Sequence, residues 1–208
     1  MDLGFSLIVS FEGFRRKLEM RVYCDGCPLR EKKPVLFEPS GRVKVVIVTE
    51  GPRTALPEWA YFTVSNPTYR FLYTLLEGHM EGIYWTHVYK CPIEDAERYK
   101  DMIVRRCRRY LMDEVSAIKP SLVVAVGAHA LRSFNRNASL KRFIFGEESR
   151  FRQKSLFGEF KLVAFPHPSG RNTLWNEIMK DLKKVERIES MRRQVIETVR
   201  SMTVSNQS

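Results

Sequence analysis

Val43-Lys44-Val45-Val46-Ile47-Val48 runs directly into Thr49-Glu50-Gly51-Pro52. The first six residues have the length and β-branched character of a buried strand, and the next four hold the turn formers that end one. Three further runs read the same way: Ile83 to Val88, Leu122 to Val126 and Leu162 to Phe165. Segments with helical signals lie between them. Asn66-Pro67 offers an N-cap and a first-turn proline for a helix through Leu76, which Gly78 can close. Asp95 can cap a longer helix from Ala96 to Ile118 that stops before Pro120, and a third helix runs around His129 to Phe134. Strands that alternate with helices need crossover connections. The expected fold is therefore a three-layer α/β/α arrangement around a central, mostly parallel four-stranded sheet.

Composition sets the outer bounds. A chain of 208 residues with 44% hydrophobic content can bury one sizeable core, and no Gly/Ser-rich or low-complexity stretch divides it, so residues 1–208 are expected to form a single domain. Lys and Arg outnumber Asp and Glu by 35 to 24, a net charge of +11 that attracts a polyanion such as DNA or RNA. Neither a membrane-length apolar run nor a signal stretch with a small-residue cleavage site is present, and no repeat is visible, so a cytoplasmic, intracellular protein is expected.

All four cysteines fall into one spaced set: Cys24-x2-Cys27, then Cys91, then Cys107. A Cys-x-x-Cys pair brings two thiolates onto one tight turn, and two further thiolates complete the four soft ligands of an iron-sulfur cluster or a zinc ion. Four cysteines are too few for a disulfide-stapled scaffold of this length, and unbound thiols are the plain alternative. Cys107 stands within Arg105-Arg106-Cys107-Arg108-Arg109, where cations can offset an anionic cluster, contact phosphate, or form a solvated helix face.

In open α/β sheets, ligands bind beyond the carboxyl ends of the strands. The first strand ends in Thr49-Glu50-Gly51-Pro52, the second in His87, and the fourth in Pro166-His167-Pro168-Ser169-Gly170. A carboxylate, two imidazoles and a hydroxyl are thereby expected to line one crevice. His79 and His129 fall outside this filter and read as surface or capping residues.

Taken together, these segments resemble the uracil-DNA glycosylase superfamily, most closely its iron-sulfur branch, over about Tyr23 to Asn176. Cys24-Asp25-Gly26-Cys27-Pro28-Leu29 is similar to the Cys-x-x-Cys-x-Leu segment before the first strand of that branch. Thr49-Glu50-Gly51-Pro52-Arg53 takes the place of its Gly-Glu-Ala/Gly-Pro-Gly loop, and His87-Val88-Tyr89-Lys90-Cys91 that of its Asn-x-x-Lys-Cys segment. Cys107-Arg108-Arg109-Tyr110-Leu111, then Lys119-Pro120 and Gly127, follow the next part of the pattern, and His167-Pro168-Ser169 is the branch's His-Pro-Ser intact.

The resemblance implies a monofunctional DNA repair glycosylase of base excision repair: a hydrolase that cuts the N-glycosidic bond of a deaminated base, uracil foremost, and leaves an abasic site. It also implies a four-iron four-sulfur cluster held by Cys24, Cys27, Cys91 and Cys107. His167 would donate a hydrogen bond to the departing base, and Glu50 would orient or activate water or stabilise the cationic sugar. Phe62, or its neighbour Tyr61, would stack on the extruded base. Gly51, Pro52, Arg53, Ser169, Arg171 and Asn172 would contact base or DNA.

The chain departs from the pattern at Thr49 and Arg53, where glycines are usual, and at His87, where an asparagine reads the uracil edge. An amide presents a donor and an acceptor together, whereas a neutral imidazole presents them on opposite sides of its ring. Base preference can therefore differ, and two other classes stay open: a catalytically divergent iron-sulfur DNA-binding protein of the same fold, and a zinc-stabilised nucleic-acid-binding module. Finally, about 173–202 reads as one long C-terminal helix with a stripe of Leu174, Ile178, Leu182, Val185, Ile188, Val195 and Val199. That stripe suits packing on the domain, or pairing with a protein partner or a second copy.

Overall fold

β1 (Val45–Thr49) is fully apolar until its last residue, and Val45 to Val48 are wholly removed from solvent, which makes it a central strand. In the computed structural model, which describes residues 10–146, 152–155, 158–167 and 173–204, β1 pairs in parallel with β2 (Ile83–His87) on one side and β3 (Leu122–Val126) on the other. β3 in turn pairs in parallel with β5 (Gly158–Phe165), so the four expected strands form a parallel sheet surrounded by helices, a three-layer α/β/α fold. A fifth strand, β4 (Arg152–Ser155), adds antiparallel to β5, giving the order β2-β1-β3-β5-β4. Its sequence, Arg-Gln-Lys-Ser, carries no β-branched run, so it is not among the strands the sequence announces.

The helices follow their caps. α1 (Phe11–Glu19) starts where the Ser10 hydroxyl accepts from Gly13 N at 3.0 Å, and it packs against α4. After the short α2 (Glu58–Tyr61), α3 (Pro67–Leu75) begins as expected: Asn66 Oδ1 accepts from Thr68 N and Tyr69 N at 3.0 and 3.2 Å. The long helix, expected from Ala96, starts later. Glu94–Tyr99 is a 3-10 turn and α4 proper spans Lys100–Ile118. The reason is that Ile93 N and Glu94 N donate to Pro52 O and Arg53 O, which ties this stretch to the loop after β1 before a helix can wind. Lys119, in the left-handed conformation at φ 53°, ends α4 ahead of Pro120. α5 (Ala128–Phe134) and α6 (Leu140–Phe145) connect β3 to the β4–β5 hairpin.

The single C-terminal helix is instead two, α7 (Thr173–Ile178) and α8 (Leu182–Val204). Asp181 causes the break: its Oδ1 accepts from Lys183 N and Lys184 N at 3.1 and 3.4 Å, an N-cap that restarts the helix. The restart also turns Leu182 out to solvent, at 82% exposure, so it leaves the stripe. Ile178, Ile188, Val195 and Val199 are buried in the main core, so the domain itself covers these members of the stripe.

Candidate active site

Successive side chains of β2 point to opposite faces of the sheet, and the two faces do different things. Tyr84 and Thr86 meet Glu114 of α4 and Lys90. Lys90 and Glu114 form an ion pair at 2.5 Å with side chains 1% and 0% exposed. Lys90 Nζ also donates to Thr86 Oγ1 and to the His87 carbonyl at 2.6 and 2.8 Å, while the Tyr84 and Thr86 hydroxyls donate to Glu114. Burial, reinforced by the Glu114 charge, pushes the Tyr84 phenol far above its ordinary pKa. The network holds the backbone at the end of β2.

Trp85 and His87 face the other way, into the wall of a cleft of about 530 Å³ at the carboxyl ends of β1, β2 and β5, whose polar lining includes Glu50, Arg53, His87, Lys100 and His167. β1 and β2 stay paired past their ends, with Val88 N donating to Thr49 O at 2.9 Å and Tyr89 N to Glu50 O at 3.2 Å. Gly51 lies flat against the Tyr89 ring, and a Cβ there would overlap that ring. Glu50 is salt-bridged to Lys100, which also reaches Glu97 at 3.0 Å. His167 is half-buried, and its Cβ would sit 3.5 Å from a Cβ on Gly127, whose φ of +95° closes β3. Burial lowers the His167 pKa, with the Glu50 charge raising it and the Lys100 charge lowering it. These three groups therefore share one electrostatic field.

His87 is 3% exposed, edge-on to the rings of Trp85 and Phe37 at 5.3 and 5.8 Å and tilted against that of Tyr61 at 6.2 Å. Its Nδ1 lies 2.8 Å from Thr49 Oγ1, which also accepts from the Trp85 indole N–H at 2.9 Å. Its Nε2 is buried with no hydrogen-bond partner. Desolvation, then the Lys90 charge, lowers its pKa to about 3, so the ring is neutral.

Of the residues expected in the site, Glu50, Gly51, Pro52, Arg53, His87 and His167 line this one cleft. Phe62 does not. It is 40% exposed and stands edge-on to Phe37 and Trp85 at 4.8 and 5.8 Å, whereas Tyr61, 4% exposed, forms the cleft wall. Ser169, Arg171 and Asn172 lie outside the described residues. Lys100, Trp85 and Tyr89 were not singled out from the sequence. Lys100 had a usable signal, since it sits seven residues, or two helical turns, before Cys107 and so on the same side of α4.

The cysteines gather on three segments beside the cleft. Cys24 and Cys27 share a turn in which Cys27 N donates to Cys24 O at 2.9 Å and Gly26 takes a φ of +60°. Cys91 receives Arg21 Nη1 at 3.5 Å, and the Cys24 thiol meets the Tyr110 hydroxyl at 3.6 Å. Burial pushes the Cys107 thiol up to about 12, and the charges of Cys91 and Cys27 act on it in the same direction; Cys91 likewise feels Cys24 and Cys27. Among the described residues no three His, Cys, Asp or Glu side chains converge on the position of a single metal ion. Leu29, Tyr89, Ile93 and Ile103 pack around Cys91 and Cys107, with Cys27 at their edge, and Cys24 packs with Phe14, Leu18 and Tyr110. Of the neighbouring arginines, Arg108 turns away to donate to Ser133 O at 2.6 Å. Arg109 lies over the Tyr23 ring at 5.6 Å, and Arg105, Arg106 and Arg109 line a separate depression with Tyr23.

No described helix is long and apolar enough to cross a membrane. A search among curated proteins finds no significant match. The family model described as the uracil DNA glycosylase superfamily matches residues 37–192, well over half of the chain. That span holds every described cleft residue from Thr49 to His167, and Cys91 and Cys107, while Cys24 and Cys27 precede it. Parallel strands whose carboxyl ends carry Glu50, His87 and His167 into one cleft agree with that match, and the chain belongs to the uracil DNA glycosylase superfamily.

Proposed function

We propose that the protein is a monofunctional DNA glycosylase that hydrolyses the N-glycosidic bond of a deaminated base, uracil foremost, and leaves an abasic site. The observation that carries this reading is the convergence of Glu50, His87 and His167 on one cleft, in a chain of this superfamily. A stacked base is out of reach of any side chain, so the nucleotide swings out of the helix into the cleft, whose wall includes Tyr61 and Trp85. The bond between C1′ and the base nitrogen breaks with its electron pair leaving on the base. In this reading His167, which lines the cleft, donates a hydrogen bond to the oxygen on which that charge gathers. Water supplies the oxygen that C1′ gains, and its proton passes to Glu50 or through it to solvent. Lys100 bonds one oxygen of the Glu50 carboxylate, and a carboxylate has acceptor sites enough for a water as well. The net charge of +11 favours the DNA backbone.

Cys24, Cys27, Cys91 and Cys107 would hold a four-iron four-sulfur cluster. When bound, such a cluster cross-links the segments that carry its ligands, and the backbone bonds from Ile93 and Glu94 to Pro52 and Arg53 link the Cys91 segment to the loop that presents Glu50. Brown colour and visible absorption in anaerobically purified protein support the cluster; colourless protein that retains zinc contradicts it.

Incubating duplexes that contain uracil, hypoxanthine or xanthine, then cleaving with alkali, tests the activity. Strand breaks at a lesion support the proposal. The departures at Thr49 and His87 favour one second reading, a divergent DNA-binding protein of the same fold, which predicts tight binding to these duplexes with no break in any.

A further inference from the structure

Thr49 and His87 each depart from the superfamily pattern, and they are each other's partners. They face one another across the parallel β1–β2 pairing and share the 2.8 Å contact between Oγ1 and Nδ1. A hydroxyl has one proton to give and two lone pairs to offer. One lone pair of Thr49 takes the Trp85 indole N–H, which can only donate. The proton has two places to go: Thr86 O at 3.4 Å, at the far limit of a hydrogen bond, or His87 Nδ1 at 2.8 Å. Either the hydroxyl donates along the shorter contact, or Nδ1–H donates to the second lone pair of Thr49 and the hydroxyl turns to Thr86 O. In the first case Nδ1 accepts, and the one proton of the neutral ring sits on Nε2. That nitrogen is the buried atom without a partner, on a side chain that lines the cleft. Leaving a buried donor unpaired is unfavourable, so this N–H is poised for an acceptor delivered by a ligand.

We propose that Trp85, Thr49 and His87 form a relay that fixes His87 as a hydrogen-bond donor through Nε2, and that this donor reads the oxo group of a deaminated base. The inference rests on the glycosylase reading and deepens it. An Nε2–H donor pairs with the exocyclic carbonyl that deamination creates on a pyrimidine or a purine. The amino group of intact cytosine or adenine sets donor against donor. Unlike an amide, the imidazole offers no acceptor for the ring N–H that uracil and hypoxanthine both carry beside that carbonyl, so it reads only the carbonyl the two bases share. Thr49 is a positioning residue and His87 a specificity-determining one.

Proton-resolved nitrogen spectra of protein labelled with 15N-histidine, assigned by the signal lost in His87→Asn, read the tautomer directly and need no turnover. The expected spectrum shows His87 protonated on Nε2 and bare on Nδ1, a mixture of tautomers in Thr49→Val, and the parent pattern again in Thr49→Ser. Protonation on Nδ1 in the parent overturns the relay. In the excision assay, His87→Phe, which keeps a ring and removes the donor, is expected to lower the excision of uracil and of hypoxanthine by about tenfold each, the size of one buried hydrogen bond lost. Unchanged rates overturn the assignment of His87 to base reading. Absence of product from every base in the parent is a failure of the glycosylase reading instead, and the spectra still decide the tautomer.

Discussion

Two lysine–glutamate pairs flank the end of β2, and they are built for opposite purposes. Lys90 and Glu114 are sealed from solvent, and hydroxyls and a carbonyl satisfy their remaining hydrogen-bonding capacity. Lys100 and Glu50 keep about a quarter of their side-chain surface exposed, at 23% and 28%, on the wall of the cleft. The first pair fixes the backbone that carries His87. The second holds a carboxylate where water and substrate can still reach it. A buried pair with every partner in place is rigid, whereas an accessible pair can exchange one partner for another during a reaction.

Breaking the buried pair has the larger effect. Glu114→Ala strands Lys90 without its counter-charge and is expected to lower stability by about 3–5 kcal/mol in denaturant titrations. Replacing both residues with apolar ones of similar size is expected to cost less than the single change. A loss below about 1 kcal/mol for Glu114→Ala removes the contrast between the pairs.

A second effect, of intermediate size, separates the two faces by pH. His87 stays neutral in the folded protein down to about pH 3, whereas the unfolded chain takes up a proton there below its ordinary value of about 6.5. Protons then favour the unfolded state. Stability from this residue is intact above about pH 6.5 and falls as pH drops towards 3, at no more than about 1.4 kcal/mol per unit. His167, also lowered by burial, adds a slope of the same sign. His87→Asn is expected to flatten the dependence in melts between those limits, and an unchanged slope contradicts the burial of a neutral ring.

The accessible pair has the smallest effect. Lys100→Ala is expected to change stability by less than about 1 kcal/mol, since the pair is partly solvated. Its signature lies on His167 instead: with the lysine charge gone and Glu50 retained, the imidazole pKa is expected to rise in an NMR titration. A fall, or no movement, would separate His167 from this pair.

The parallel strands and the cleft were legible because both are written in local signals: β-branched runs between turn formers, and polar residues placed just past strand ends. What the sequence concealed was set by partners distant in the chain. The start of α4 was read at Ala96 because nothing local says that Ile93 and Glu94 are tied to Pro52 and Arg53. The C-terminal break was readable in principle, since Asp181 is a strong N-cap, but the apolar spacing across it masked the signal. Phe62 and Tyr61 are alternatives in the sequence, and they part only in the fold: Tyr61 ends α2 at the cleft wall, while Phe62, its C-cap, stands outside the cleft. The pairing of Thr49 with His87 needed the β1–β2 register, which the strand sequences do not specify.

The central claim is that Glu50 and His167, 117 positions apart in the sequence, act on one extruded base. Its most direct test is the rate of alkali-sensitive strand breakage at uracil in a duplex, compared between the parent protein and His167→Ala under single-turnover conditions, with DNA affinity measured alongside. The account predicts lesion-specific breaks in the parent and a rate lower by roughly a hundredfold or more in the variant, with affinity largely kept. Equal rates in the two proteins would contradict it.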